Sequence, residues 1–176
     1  HLGFKMTDAD VTAIFARFKE VGDKKKFVYD DDLTALVEGH ITEVPETWSL
    51  DYLNVTSGSQ TVPTATVRLK KVGANNGEEK IWQDAGIGDG PVDATLKAID
   101  RLTKTRGRLM DYSLRAVSQG KDALGEVTVK VDFGDGELVT GKGASTDVIE
   151  ASARAYLNAV NRFFCSTNHK APADHP

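Results

Sequence analysis

One cysteine, five prolines, two tryptophans and two methionines in 176 residues limit this sequence before any motif is read. Cys165 alone makes neither an internal disulfide nor a cysteine-based zinc centre, which points to a reducing compartment. No apolar run approaches the ~20 residues that span a bilayer, and no charged-then-apolar leader opens the chain. The expectation is a cytoplasmic protein with no membrane partner. Positive charge is not in excess either: 22 Lys and Arg stand against 26 Asp and Glu, a net charge of -4. Nucleic-acid binding needs clustered cations facing phosphates, so no nucleic-acid partner is expected. The one basic run, Lys24-Lys25-Lys26, is answered by Asp30-Asp31-Asp32, as on a solvated surface. The chain opens on His1, and a helix pattern begins almost at once, as in a piece of a longer protein.

Catalytic constellations are missing as well. The four histidines, His1, His40, His169 and His175, lie near termini or in linkers, and no two share a helical face at metal-ligand spacing. Asp30-Asp31-Asp32 lacks the spaced oxygens and central glycine of a calcium loop. Asp132-Phe133-Gly134 copies three letters of a kinase motif without its lysine strand or catalytic loop. Gly86-x-Gly88-x-Gly90 misplaces the third glycine of a dinucleotide fingerprint. Cys165 has no evident base beside it and reads as buried packing. No catalytic residue, metal site or cofactor is assigned to this chain, and an independent small enzyme has almost no support.

What the sequence does contain is a repeat. Two stretches, about 48–105 and about 109–165, read as imperfect copies of one unit of three strands, a glycine-rich corner and a helix. Leu50-Asp51-Tyr52 answers Met110-Asp111-Tyr112, Val67-x-x-Lys70 answers Val127-x-x-Lys130, and Gly86-Ile87-Gly88 answers Gly141-Lys142-Gly143. Gly73-Ala74-Asn75-Asn76-Gly77 and Gly134-Asp135-Gly136 supply the turn residues of the middle hairpins. Ala65, Val67 and Leu69 alternate with polar neighbours, as do Val127, Val129 and Val131, which argues antiparallel sheets with one wet face. A helix starting at Pro91 carries Val92, Thr95, Leu96, Ile99 and Leu102 on one stripe. A second, capped by Thr146, carries Ile149, Ala153, Tyr156, Val160 and Phe163. The fold class is therefore α+β: two pseudo-twofold-related βββα units, each antiparallel sheet covered by a helix.

Ahead of the repeat, residues 1–44 read as a small helical subdomain. Thr7 and Asp10 resemble an N-cap, Val11, Ile14, Phe15 and Phe18 follow at helical spacing, and Gly22 ends the run. Asp30 caps a second short helix burying Leu33, Leu36 and Val37. Its two narrow apolar faces need the rest of the chain, or a neighbour, to cover them. Residues 42–47 link it to the larger domain, 45–176, whose polar tail, 166–176, reads as frayed.

The corner Gly88-Asp89-Gly90-Pro91-Val92-Asp93-Ala94 offers a close backbone approach and free amides at a helix start, which suit a carboxylate; Asp89 suits an ammonium. Together they suit an amino acid. A tight turn with ordinary capping is the plainer alternative. Here the chain meets a known family. The corner, Leu50-Asp51-Tyr52, Ser57-Gly58-Ser59, Asp111-Tyr112-Ser113-Leu114, Lys121-Asp122-Ala123-Leu124-Gly125 with Gly120, and Thr146 to Ser152 resemble the C-terminal regulatory domain of 2-isopropylmalate synthase. Phe15 to Leu36 resembles the helical linker subdomain before it.

The resemblance implies an allosteric fragment. Its parent enzyme would condense acetyl-CoA with 2-oxoisovalerate in an N-terminal barrel holding a divalent metal ion, which this chain lacks. The fragment itself would bind leucine between the paired domains of a homodimer and lower that activity by feedback. By motif, the effector contacts would be Asp89, Gly90, Val92 and Asp93 at the corner, with Leu109, Tyr112, Ala116, Ala123 and Gly125 in the second unit. Val92, Leu109, Ala116 and Ala123 would form an apolar socket, Gly125 would leave room, and Tyr112 would close a wall. Core packing is the alternative for each. Citramalate synthase, which senses isoleucine, has the same architecture, and a free-standing amino-acid-binding module is a further alternative.

Overall fold

The computed structural model describes residues 8–24, 33, 36, 46–72, 79–117, 120 and 123–166. Three strands, β1 (Trp48–Gly58), β2 (Thr61–Val72) and β3 (Glu79–Ile87), form an antiparallel sheet in that order. Helix α2 (Pro91–Thr103) follows. The pattern then repeats as β4 (Arg108–Ala116), β5 (Gly125–Asp132), β6 (Leu138–Ser145) and α3 (Val148–Ser166). This is the doubled βββα architecture expected from the repeat.

The middle strands carry the core. Val67 and Leu69 of β2 and Val127, Val129 and Val131 of β5 are fully buried, because each faces a helix across its own sheet. The α2 stripe buries Thr95, Leu96, Ile99 and Leu102, and α3 buries Ala153, Tyr156, Val160 and Phe163. These residues, from both units, belong largely to one continuous apolar cluster.

The paired glycines allow the helices to sit this close. A Cβ on Gly86 would strike the Ala94 carbonyl, and one on Gly141 would strike the Ala155 carbonyl and approach the Ala159 nitrogen to 2.7 Å. The helices thus press backbone against backbone on β3 and β6, and Ala98 and Ala159 face those glycines with the smallest side chain available. The glycine letters do correspond between the units, as read.

The first-strand letters correspond less well. Each first strand carries one extra residue: the register slips between Leu50 and Tyr52 in β1, but between Leu109 and Asp111 in β4. Asp51 is the inserted residue of the first unit and Met110 that of the second. Tyr52 therefore lies outward over Arg68, whose guanidinium carbon is 5.2 Å from its ring centroid. Tyr112, the same letter in the motif, turns inward.

Several local readings shift: Cys165, read as buried packing, is exposed near the end of α3. The second long helix is capped by Asp147 rather than Thr146: Asp147 Oδ1 accepts from the amides of Ile149 at 2.7 Å and Glu150 at 3.3 Å. In the leading segment α1 (Asp8–Lys24) runs through Gly22, with Ile14 buried but Val11 and Phe15 exposed. Leu33 and Leu36 are helical. The Asp30 cap, Val37, Lys25-Lys26, the Gly73 to Gly77 turn, Lys121, Asp122, all four histidines and residues 167–176 lie outside the described residues. The other turn is present, with Gly134 at φ 98° and Gly136 at φ 82°, which only glycine adopts cheaply. No helix among the described residues is long and apolar enough to cross a membrane.

Polar contacts between described residues join the units as well as the shared core. Asn161 of α3 accepts from the Trp48 amide at 2.9 Å and donates to the Trp48 carbonyl at 2.8 Å. Tyr156 of α3 donates to Asp100 of α2 at 2.7 Å, and the same carboxylate oxygen accepts from Thr105 Oγ1 at 2.8 Å and the Gly107 amide at 3.3 Å.

Candidate functional site

The nine candidate residues fall into two groups. At the first corner Gly90 is the N-cap of α2, in extended backbone, and Pro91 follows it. Glycine brings no capping side chain and proline no N–H, so this helix start has no side-chain cap. Asp93 reaches back instead. Its Oδ2 accepts from the Asp89 amide at 2.9 Å and from Lys97 Nζ at 2.6 Å. Burial pushes the Asp93 carboxyl up, but the bonds from Lys97 and the Asp89 amide outweigh it and hold the group below the usual carboxylate range. The hydrogen bond that Lys97 donates to Asp93 in turn raises the lysine's pKa. Asp93 thus orders the loop, and Asp89, exposed beside it, keeps an outward carboxylate. Val92 is half-buried against the shared core.

The second group gathers on one face of the β4–β5 pair. Residues opposite each other in an antiparallel ladder point to the same side, and Leu109 lies opposite Val131, Tyr112 opposite Val129 and Ala116 opposite Gly125. Leu109 and Tyr112 are three apart, so strict alternation would put them on opposite faces. The extra residue Met110 brings them together. On that face α3 packs along β5 and β6, and neither helix packs along β4. Leu109, Leu114 and Val148 remain 39%, 50% and 38% exposed there, an uncovered apolar strip. Tyr112 stands at its inner edge, its hydroxyl 2.8 Å from Ser152 Oγ, which in turn donates to the Val148 carbonyl at 2.6 Å.

Gly125 leaves space on this strip, since an added Cβ would come within 3.3 Å of Leu114 Cδ1 and 3.9 Å of Val148 Cγ2. Ala123 sits half-buried before β5, next to fully buried Leu124. Leu109, Tyr112, Ala116 and Gly125 are therefore one surface. The corner is another: the hydrogen bonds made by Asp89, Gly90 and Asp93 stay within the corner and its own helix. Residue reading missed Ser152 and Val148 as partners of this face. Ser152 sits in the Thr146 to Ser152 motif, and its signal is the four-residue step from Val148 that puts both on one side of α3.

Comparison with known proteins decides the family. The model of the LeuA allosteric (dimerisation) domain matches residues 27–164. The chain belongs to the LeuA allosteric domain family. Full-length 2-isopropylmalate synthases carry the same segment. That of Methylacidiphilum infernorum is 53% identical over 161 residues, and that of Carboxydothermus hydrogenoformans is 50% identical over 161. That of Gloeobacter violaceus is 45% identical over 168. These alignments cover 92%, 92% and 96% of this chain but 31%, 30% and 30% of the relatives, so the chain spans about a third of their length. Among the described residues, no three His, Cys, Asp or Glu side chains are placed to hold a metal ion.

Proposed function

We propose that this domain is the leucine-sensing, dimerising part of a 2-isopropylmalate synthase and lowers the activity of a metal-dependent catalytic barrel elsewhere in the parent enzyme. The uncovered β4 face carries the reading. An edge strand with exposed Leu109, Leu114 and Ala116 beside a half-buried tyrosine is an unfinished pocket, and unfinished apolar surface marks a binding site. The branched side chain lies against Leu109, Ala116 and Ala123 above Gly125, with Tyr112 as one wall.

The charged end of the amino acid belongs at Asp89, Gly90 and Asp93, and Val92 beside them adds to the apolar socket. That corner makes its bonds locally, so the corner of a second copy closing over the β4 face completes the pocket. Effector binding and pairing are then one event. The homodimer, the leucine and the barrel are the partners in this reading, and no cofactor is assigned to the domain.

Calorimetric titration with leucine tests it. Saturable binding is expected, and leucine at 100 times its dissociation constant stabilises the fold by about 2.7 kcal/mol, raising Tm by roughly 5–10 °C. Tyr112→Ala weakens the binding. Binding of isoleucine without leucine would transfer the domain to a citramalate synthase. Binding of neither overturns the effector reading.

A further inference from the structure

On the β4 face the direction of two hydrogen bonds follows from chemistry alone. The Val148 carbonyl can only accept, so Ser152 Oγ, 2.6 Å away, spends its single proton there. Ser152 Oγ is then left to accept from Tyr112 Oη at 2.8 Å, and the tyrosine proton is spent in turn. Only lone pairs remain on Tyr112 Oη. The hydroxyl can accept from a further group and can donate to none.

This relay lies at the border of the uncovered strip. Tyr112 shares its side of β4 with Leu109 and Leu114, and Val148, at the other end of the relay, is 38% exposed beside Gly125. Ser152 itself is fully buried, so it acts only through the tyrosine. The first unit has no such device. Gly86 faces Ala94 and Ala98 where Gly141 faces Ala155 and Ala159, which sets Pro91 level with Ser152. Proline has no hydroxyl, and Tyr52 turns outward to Arg68. One βββα unit thus folds without the relay, and the other carries it beside the candidate pocket.

We propose that Ser152 is a positioning residue for the effector: it fixes the Tyr112 hydroxyl as an acceptor, and that acceptor selects a ligand with a free ammonium group. This rests on the effector reading given above. The ammonium that the corner's Asp89 attracts is held on its other side by Tyr112, while the carboxylate is turned away from the tyrosine toward the helix start at Gly90. An aliphatic acid without the amino group fits the apolar strip but leaves the tyrosine acceptor unanswered, and an unanswered acceptor in a closed pocket weakens binding.

Calorimetric titration of the intact chain with leucine and with 4-methylpentanoate, which is leucine without its amino group, tests the assignment. Tyr112→Phe keeps the ring and removes the oxygen. Leucine is expected to bind it about tenfold more weakly, the loss of one bond to a charged group, and 4-methylpentanoate no more weakly than before. Ser152→Ala releases the tyrosine proton, so leucine weakens in the same direction while 4-methylpentanoate is unchanged. In the double variant the two losses do not add, because Ser152 acts through the Tyr112 oxygen. A Ser152 that only supports the fold would weaken both ligands alike in Ser152→Ala, and that outcome overturns the proposal, as do additive losses. Where the analogue binds too weakly to titrate, the leucine cycle alone decides. Failure of leucine to bind the unsubstituted chain overturns the effector reading and this proposal with it, whereas leucine binding that neither substitution changes overturns this proposal alone.

Discussion

At the scale of single residues, the glycines and one buried carboxylate carry the sharpest consequences. Gly141→Ala drives a methyl into the backbone of α3 at Ala155 and Ala159, where no rotamer gives relief. A loss of about 1–3 kcal/mol is expected, read by urea unfolding. Gly90→Ala meets nothing within 4 Å and serves as the control, with a change near zero. Asp100 is expected to shape the pH profile. Burial raises its pKa above the ordinary 3.8, outweighing the bonds from Tyr156, Thr105 and the Gly107 amide. The folded state therefore holds the proton more tightly than the unfolded chain. That stability is present in full below pH 3.8 and is lost as pH rises through the folded value. Asp100→Asn keeps an acceptor for Tyr156 and flattens this part of the curve; an unchanged pH slope would refute the assignment. Tyr156 is itself held far above its usual range, first by burial and then by Asp100, so it remains the donor. None of this was legible as function in the sequence. A glycine read as a corner and a tyrosine read as one apolar position gave no sign of the partners 56 residues apart that meet at Asp100.

At the scale of elements, local chemistry accounts for most of what happens. Alternation in β2 and β5, Pro91 at a helix start and the stripes of α2 and α3 are periodic signals, and periodic signals survive folding when the apolar face has something to cover. The cap of α3 was read one residue early because Thr146 and Asp147 are both good caps. The shorter carboxylate reach of Asp147 to two amides decides between them. Asp147→Ala is expected to cost about 1 kcal/mol in thermal unfolding, whereas Thr146→Ala costs markedly less. The β4 bulge was not legible at all. A bulge adds a residue without changing the polarity pattern enough to announce itself, yet it turns Tyr112 inward and brings Leu109 onto the same face. The same letters in β1 turn Tyr52 out to Arg68. Equal motifs thus serve opposite faces.

At the scale of the whole molecule, the two units are held by few polar contacts over a shared apolar core. Asn161 satisfies both the amide and the carbonyl of Trp48, 113 residues away. Asn161→Ala leaves two buried backbone groups unpaired, and a loss of about 2–4 kcal/mol is expected in chemical denaturation. A loss below 1 kcal/mol would show that the units are held by apolar packing alone. The sequence by itself determined the doubled βββα plan, the buried strands and helix stripes, and the resemblance that the family match bears out. Each of these depends on residues near one another along the chain or on ordered motifs. Only the tertiary structure decided which candidate residues share a surface. Leu109, Tyr112, Ala116 and Gly125 come together through a bulge and a strand register, while Asp89, Gly90, Val92 and Asp93 form a separate corner. The structure also decided that the second corner and the first strand enclose a cavity closed by α1. Register and packing between distant segments are set by the global burial of apolar area, a sum over the whole chain that no local pattern contains.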